Sequence, residues 1–182
     1  MSTNNVEKLD IKKKLRRIPE FKGVVFWDIT PILKDKELFR ESIKQLADHC
    51  RAKKIDVIVS NEARGFIIGA PLAYELGVGF VPIRKQGKLP SKCVNLTYKK
   101  EYECDNIEIH EDAVAPGQKV LLIDDLLATG GTVKANIKLV EKLGGVIVGI
   151  GFLIELGYLD GRKAIGEKYD VFSIMKCDTT NG

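Results

Sequence analysis

Between Val120 and Thr132 the chain reads VLLIDDLLATGGT, an apolar run followed by two adjacent acids and a short loop of alanine, threonine and glycine. The uncharged, β-prone run is a buried strand that delivers Asp124 and Asp125 at its carboxyl end. The loop Ala128, Thr129, Gly130, Gly131 and Thr132 then opens a helix. Its glycines let backbone N–H groups approach an anion closely, the threonine hydroxyls add donors, and the helix N-terminus favours negative charge. That combination is a phosphate cradle. Carboxylates repel phosphate, so Asp124 and Asp125 need another partner: sugar hydroxyls, a metal-bound ligand, or positive charge building in a transition state. Better-known phosphate loops fit worse. Gly87-Lys88 is followed by Leu89 and has Pro82 where a P-loop places its first glycine, and Gly77-Val78-Gly79 lacks the third glycine of a dinucleotide fingerprint.

Strands and helices must bring these groups together. Leu38, Phe39, Ile43, Leu46, Ala47 and Cys50 recur at three- and four-residue spacing, with Asp35 ahead as N-cap, and predict an amphipathic helix from Lys36 to Cys50. Ile55 to Ser60 reads as a buried strand, followed by a helix over about 65–76 and a strand from Val78 to Ile83. After the strand at Lys119 to Ile123, the residues Val133, Ile137, Val140 and Leu143 mark a helical face that stops at Gly144-Gly145. Val146 to Ile154 and Tyr169 to Ile174 complete the strands. This alternation predicts an α/β fold, a mostly parallel central sheet with helices on both faces, whose ligand sits beyond the carboxyl ends of the strands. The segment of about 84–111 differs. It is polar and lysine-rich, with β-prone Val94 to Tyr98 and Asn106 to Ile109, and reads as an exposed hairpin or flap.

A length of 182 residues fits one domain, and 45% hydrophobic with 30% charged residues excludes disordered and collagenous classes. No run approaches the roughly 18 apolar residues of a membrane span, and the first 17 residues lack the apolar stretch of a secretory signal. A cytoplasmic protein is expected, with no membrane partner. Cys50, Cys93, Cys104 and Cys177 are scattered, with only His49 and His110 to assist, so free thiols are expected rather than a metal cage. The net charge of 29 minus 25, or +4, does not imply nucleic acid and suits a polyanionic small molecule.

Hydrophobic strand, paired aspartates and Thr-Gly-Gly-Thr together resemble the phosphoribosyl pyrophosphate (PRPP) motif of the type I phosphoribosyltransferases. Gly23 to Pro31 (GVVFWDITP), Arg64 to Gly69 (RGFIIG), Val78 to Pro90 (VGFVPIRKQGKLP) and Glu101-Tyr102 further resemble signature segments of adenine phosphoribosyltransferases, in the same order. The resemblance implies one domain over residues 1–182, with a small N-terminal hood to about residue 34 and the flexible flap at 84–111. The implied reaction joins adenine to the 5-phosphoribosyl group of PRPP, giving AMP and pyrophosphate, with Mg²⁺ held mainly by PRPP and waters.

The same resemblance distributes roles. Ala128 to Thr132 would hold the ribose 5-phosphate, and Asp124 and Asp125 the ribose hydroxyls. Arg64, Arg84, Lys85 and Lys88 would grip pyrophosphate, a guanidinium meeting two oxygens at once. Glu101, in the flap beside Tyr102, would close over the base and manage a proton at N7. Phe26 would offer its face to the purine while backbone groups of Val25 and Trp27 read its edge, Trp27 standing where the family usually has arginine. The loop Glu62-Ala63-Arg64-Gly65 takes the place of one that often carries a non-proline cis peptide, here with Glu62-Ala63 for the usual Asp-Ser. Such enzymes are homodimers. A regulator that binds PRPP without turnover, or a transferase for another purine, shares the phosphate motif.

Overall fold

The computed structural model describes residues 11–21, 24–99 and 104–180. A single turn of 3-10 helix leads into a small antiparallel hairpin, β1 (Arg16–Phe21) and β2 (Val24–Asp28), followed by the short helix α1 (Thr30–Lys34). Asp28 accepts from the Thr30 N–H at 2.9 Å and from its hydroxyl at 2.8 Å, which turns the chain from strand to helix.

The main sheet has seven strands in the order β5-β6-β4-β3-β7-β8-β9, where β5 is Cys93–Lys99 and β6 is Cys104–His110. Its parallel part comprises β3 (Val57–Asn61), β4 (Gly79–Lys85), β7 (Lys119–Leu127), β8 (Val146–Leu156) and β9 (Val171–Cys177). Helix α2 (Lys36–Cys50) precedes them, and between them run α3 (Arg64–Leu76), α4 (Gly131–Lys142) and the short α5 (Gly161–Ile165). Asp35 caps α2 as expected, accepting from the N–H groups of Glu37 and Leu38.

Strand alternation explains why helices cover both faces. On β3 and β7, Ile58, Leu121 and Ile123 belong to one buried cluster with Leu46, Ile68 and Leu72 of α2 and α3. Their neighbours Val57, Val59, Val120 and Leu122 belong to a second cluster with Val133, Ile137 and Val140 of α4. A period of two thus divides consecutive residues between two cores, each fully buried aliphatic contributing about 1.5–3 kcal/mol.

Two boundaries differ from expectation. Strand β7 does not stop at Ile123, because Asp124, Leu126 and Leu127 continue to pair with β8, so the acidic pair lies within a strand. The expected polar flap is a hairpin, β5 (Cys93–Lys99) with β6 (Cys104–His110), but its base is not exposed. Strand β6 pairs with β4, which joins the hairpin to the main sheet, and Ile107, Glu108 and Ile109 are buried. Among the described residues no helix is long and apolar enough to cross a membrane.

Candidate functional site

From β3 the chain passes through α3 to β4 on one side, and later returns to place β7 on the other. The crevice beyond the carboxyl ends of β3 and β7 is therefore a topological switch point, where parallel sheets bind ligands. A cavity of about 670 Å³ occupies it, lined by the turn Asn61 to Arg64, by Asp124 and Asp125, and by the loop through Thr132.

On the β7 side, Gly130 adopts φ +86° ahead of α4, a conformation that favours glycine, and an added Cβ would stand 2.9 Å from the Gly161 carbonyl oxygen. Lys134 makes the first helical return bond, to the Gly130 carbonyl, so the N–H groups of the preceding residues face the loop rather than the helix. The loop is backed by α5. Arg162 donates to both oxygens of buried Glu155 at 2.7 Å, and Ser173 donates to the same carboxylate at 2.7 Å. Burial pushes the Glu155 carboxyl up, but the bonds from Arg162 and Ser173 outweigh it and hold the group below its usual range.

The acidic pair meets the start of α3. Asp125 is buried and forms an ion pair with Arg64, and its backbone N–H donates to Asp124 Oδ1 at 2.9 Å. Burial raises the Asp124 carboxyl well above the usual carboxylate range, and the neighbouring Asp125 charge raises it further. Gly65 makes the approach possible, since a Cβ there would lie 2.8 Å from Asp124 Oδ1. Arg64 also lies over the Phe26 ring, 5.1 Å from its centroid, and so joins the N-terminal hairpin to the acidic pair. Phe26 is half-buried, whereas the Trp27 side chain is buried in the core and does not line the cavity.

On the β4 side, the Glu62–Ala63 peptide is cis, so the change from Asp-Ser has not removed that feature. Glu62 lines the cavity and accepts from Arg84 Nε at 2.8 Å and from the Lys85 N–H at 3.1 Å. Arg84, Lys85 and Lys88 do not line the cavity itself; Arg84 is attached to it through Glu62. Lys85 and Lys88 are exposed. Below them Glu108, only 4% exposed, accepts from the N–H groups of Lys88 at 2.9 Å and Leu89 at 2.8 Å. Burial raises the Glu108 carboxyl, yet the N–H donors of Leu89, Gly87 and Lys88, with the nearby His110, bring it below the ordinary value. Sequence reasoning assigns no role to Glu62 or Glu108, and the one available signal was an acid between two isoleucines in a strand. Glu101 and Tyr102 lie outside the described residues.

A glycine-rich loop at a helix N-terminus and a buried acidic pair share this crevice, with basic side chains one strand away. The fold and crevice thus define an α/β protein with a ligand cavity at the carboxyl ends of its parallel strands. Residues 29–181 match the Phosphoribosyl transferase domain. An adenine phosphoribosyltransferase of Caldanaerobacter subterraneus subsp. tengcongensis is 56% identical over 169 residues, covering 92% of this chain and 97% of that one. The crystal structure of adenine phosphoribosyltransferase from Thermoanaerobacter pseudethanolicus superposes with a TM-score of 0.90 at 53% identity, covering 93% of this chain and 99% of that one. That of Saccharomyces cerevisiae, complexed with an imino-altritol bisphosphate and adenine, gives 0.84 at 40% identity, covering 91% and 97%. The chain belongs to the phosphoribosyltransferase family, among the adenine phosphoribosyltransferases.

Proposed function

We propose that the chain transfers the 5-phosphoribosyl group of PRPP to N9 of adenine, releasing pyrophosphate and forming AMP. The observation that carries this reading is the junction of Asp124 and Asp125 with the Ala128 to Thr132 loop in one crevice. The bond from ribose C1 to the pyrophosphate oxygen breaks, its electron pair leaves with pyrophosphate, and N9 supplies the pair for the new bond. Ala128, Thr129, Gly130, Gly131 and Thr132 hold the 5-phosphate. Asp124 and Asp125 take the ribose hydroxyls and favour positive charge on the ring as the leaving group departs. Arg64, Arg84, Lys85 and Lys88 neutralise pyrophosphate, while Phe26 and the backbone of Val25 and Trp27 receive the base. Glu101 accepts or returns the proton at N7, and the hairpin carrying it with Tyr102 closes to exclude water, since PRPP hydrolysis is the obvious side reaction.

Arg64 is paired with Asp125 before substrate arrives. Binding therefore exchanges partners: the guanidinium passes to pyrophosphate as the carboxylate passes to ribose. Magnesium fits this donor set, because it usually takes one or two carboxylates and completes its shell with phosphates and waters. It would be held mainly by PRPP and waters, with Asp124 and Asp125 as the protein oxygens available to that shell, and would neutralise the leaving group. The family resemblance also supports a cytoplasmic homodimer, and light scattering of the purified chain tests the dimer.

The deciding experiment supplies PRPP and Mg²⁺ with adenine, hypoxanthine, guanine or xanthine in parallel and follows nucleotide and pyrophosphate. AMP from adenine alone is expected. Turnover of another base would move the recognition assignment and keep the mechanism, whereas PRPP binding without turnover of any base would favour a regulator.

A further inference from the structure

Lys88, assigned above to pyrophosphate, stands on an exposed turn outside the cavity lining, and a turn holds a cation in place only if something holds the turn. Gly87 takes φ +80° there, and residues 85 to 88 are exposed with only Leu89 partly buried, so local packing gives little restraint. Restraint comes from both sides through charged groups. From the sheet, Glu108 accepts the N–H groups of Lys88 and Leu89 on one carboxylate oxygen. From the other side, Arg84 donates to the Lys88 carbonyl at 3.0 Å while the cavity-lining Glu62 holds its Nε. The β4–β6 register places Arg84 directly opposite Glu108, on one face of the sheet, so both supports rise from the same rung.

Glu108 is a carboxylate held out of water beneath a site for an anion. Its charge alone would repel pyrophosphate, and the geometry offers a compensating gain. We propose that Glu108 is a positioning residue for the leaving group: it fixes the peptide groups of residues 88 and 89 so that Lys88 meets pyrophosphate without ordering the turn at the moment of binding. The proposal rests on the assignment of Lys88 to the pyrophosphate half. It predicts an effect largely confined to that half, because the Glu108 carboxylate bonds to the turn at residues 88 and 89, whereas the 5-phosphate loop on β7 and α4 meets the hairpin through Tyr98, whose hydroxyl lies 3.2 Å from that of Thr132.

The test compares the parent with Glu108→Ala and Glu108→Gln, titrating each with inorganic pyrophosphate in the presence of Mg²⁺ and, separately, with AMP. Loss of charge-assisted hydrogen bonds to the turn is expected to weaken pyrophosphate binding about 10- to 100-fold in Glu108→Ala. AMP affinity, which uses the base and 5-phosphate subsites, is expected to stay within about threefold. Glutamine keeps an acceptor for the turn and is expected to restore most of the lost affinity. Equal loss of AMP and pyrophosphate affinity would mean general damage and overturn the proposal, as would unchanged or tighter pyrophosphate binding in Glu108→Ala. Should the alanine variant fail to fold, the glutamine variant decides: tighter pyrophosphate binding than in the parent would reveal repulsion rather than positioning and overturn the proposal, whereas binding equal to or somewhat weaker than the parent's supports it. A parent protein that makes no AMP would overturn the functional reading as well; with a parent that makes AMP, the titrations bear on Glu108 alone.

Discussion

Replacing Gly65 with alanine should separate the stability of this fold from its activity. Gly65 is buried in the first turn of α3, where the added Cβ would stand 2.8 Å from Asp124 Oδ1 and 3.5 Å from the Ser60 Cβ. A carbon and an oxygen rest about 3.3 Å apart, so the carboxylate must retreat by about half an ångström. Asp124 is not free to swing, because its Oδ1 accepts the Asp125 N–H at 2.9 Å. Losing that bond costs about 1 kcal/mol, while alanine in place of glycine in a helix returns about 1 kcal/mol. The two nearly cancel, and Tm should move by no more than about 4 °C. Catalysis has no such offset. Misplacing a ribose-directed carboxylate by half an ångström, where sites tolerate about that much, should lower kcat/KM for PRPP about 10- to 100-fold. Thermal melts read beside PRPP-dependent AMP formation decide the matter. Parent-like kinetics in a folded Gly65→Ala protein would refute the placement of Asp124 against α3, and a collapse of Tm would refute the cancellation.

One turn further along α3, a Cβ on Gly69 would overlap the Ser60 hydroxyl and come within 3.0 Å of the Phe80 ring, so Gly69→Ala should cost about 1–3 kcal/mol. Adding Ser60→Gly should recover much of it, and urea unfolding of the singles and the double would expose an absent coupling. Asp124→Asn should melt above the parent at pH 7, because the native carboxyl is raised by burial and by Asp125, so ionising it costs the folded state. That cost is absent below the unfolded value of about 3.9 and grows as pH rises through the native one; the gap in Tm should therefore close as pH falls towards 4, and a gap that widens instead would contradict the sign. Glu101→Ala should lower kcat about 10²- to 10⁴-fold with PRPP affinity unchanged by equilibrium titration, and full turnover would remove its proton-handling role.

Local rules made much of this molecule readable. Asp35 ahead of an amphipathic run announced α2, and the motif from Val120 to Thr132 announced both strand and anion loop, because caps, glycines and apolar periods act within a few residues. The polar look of Asp124 and Asp125 suggested the end of a strand, yet β8 continues to pair beside them, and pairing depends on a neighbour that sequence spacing does not display. The same holds for Ile107 and Ile109, which are buried only because β6 adds to β4. Glu62 and Glu108 were illegible for a related reason. Each acts on a turn more than 18 residues away, through a register fixed by the assembled sheet. Trp27 stood out by resemblance as a departure, and the structure buries its side chain in the core with the indole N–H lacking a hydrogen-bond partner among the described residues.

Arg64 touches both the Phe26 ring and the Asp125 carboxylate. For anyone redesigning this enzyme to accept a different nucleobase, that shared side chain sets a constraint. Altering the shape of the pocket around Phe26 also alters what Arg64 leans on, and with it the carboxylate intended for ribose. Selection for a new base would then drift toward variants that compensate at residues 64 and 125, and libraries confined to residues 25 to 27 would trade affinity for sugar against affinity for base.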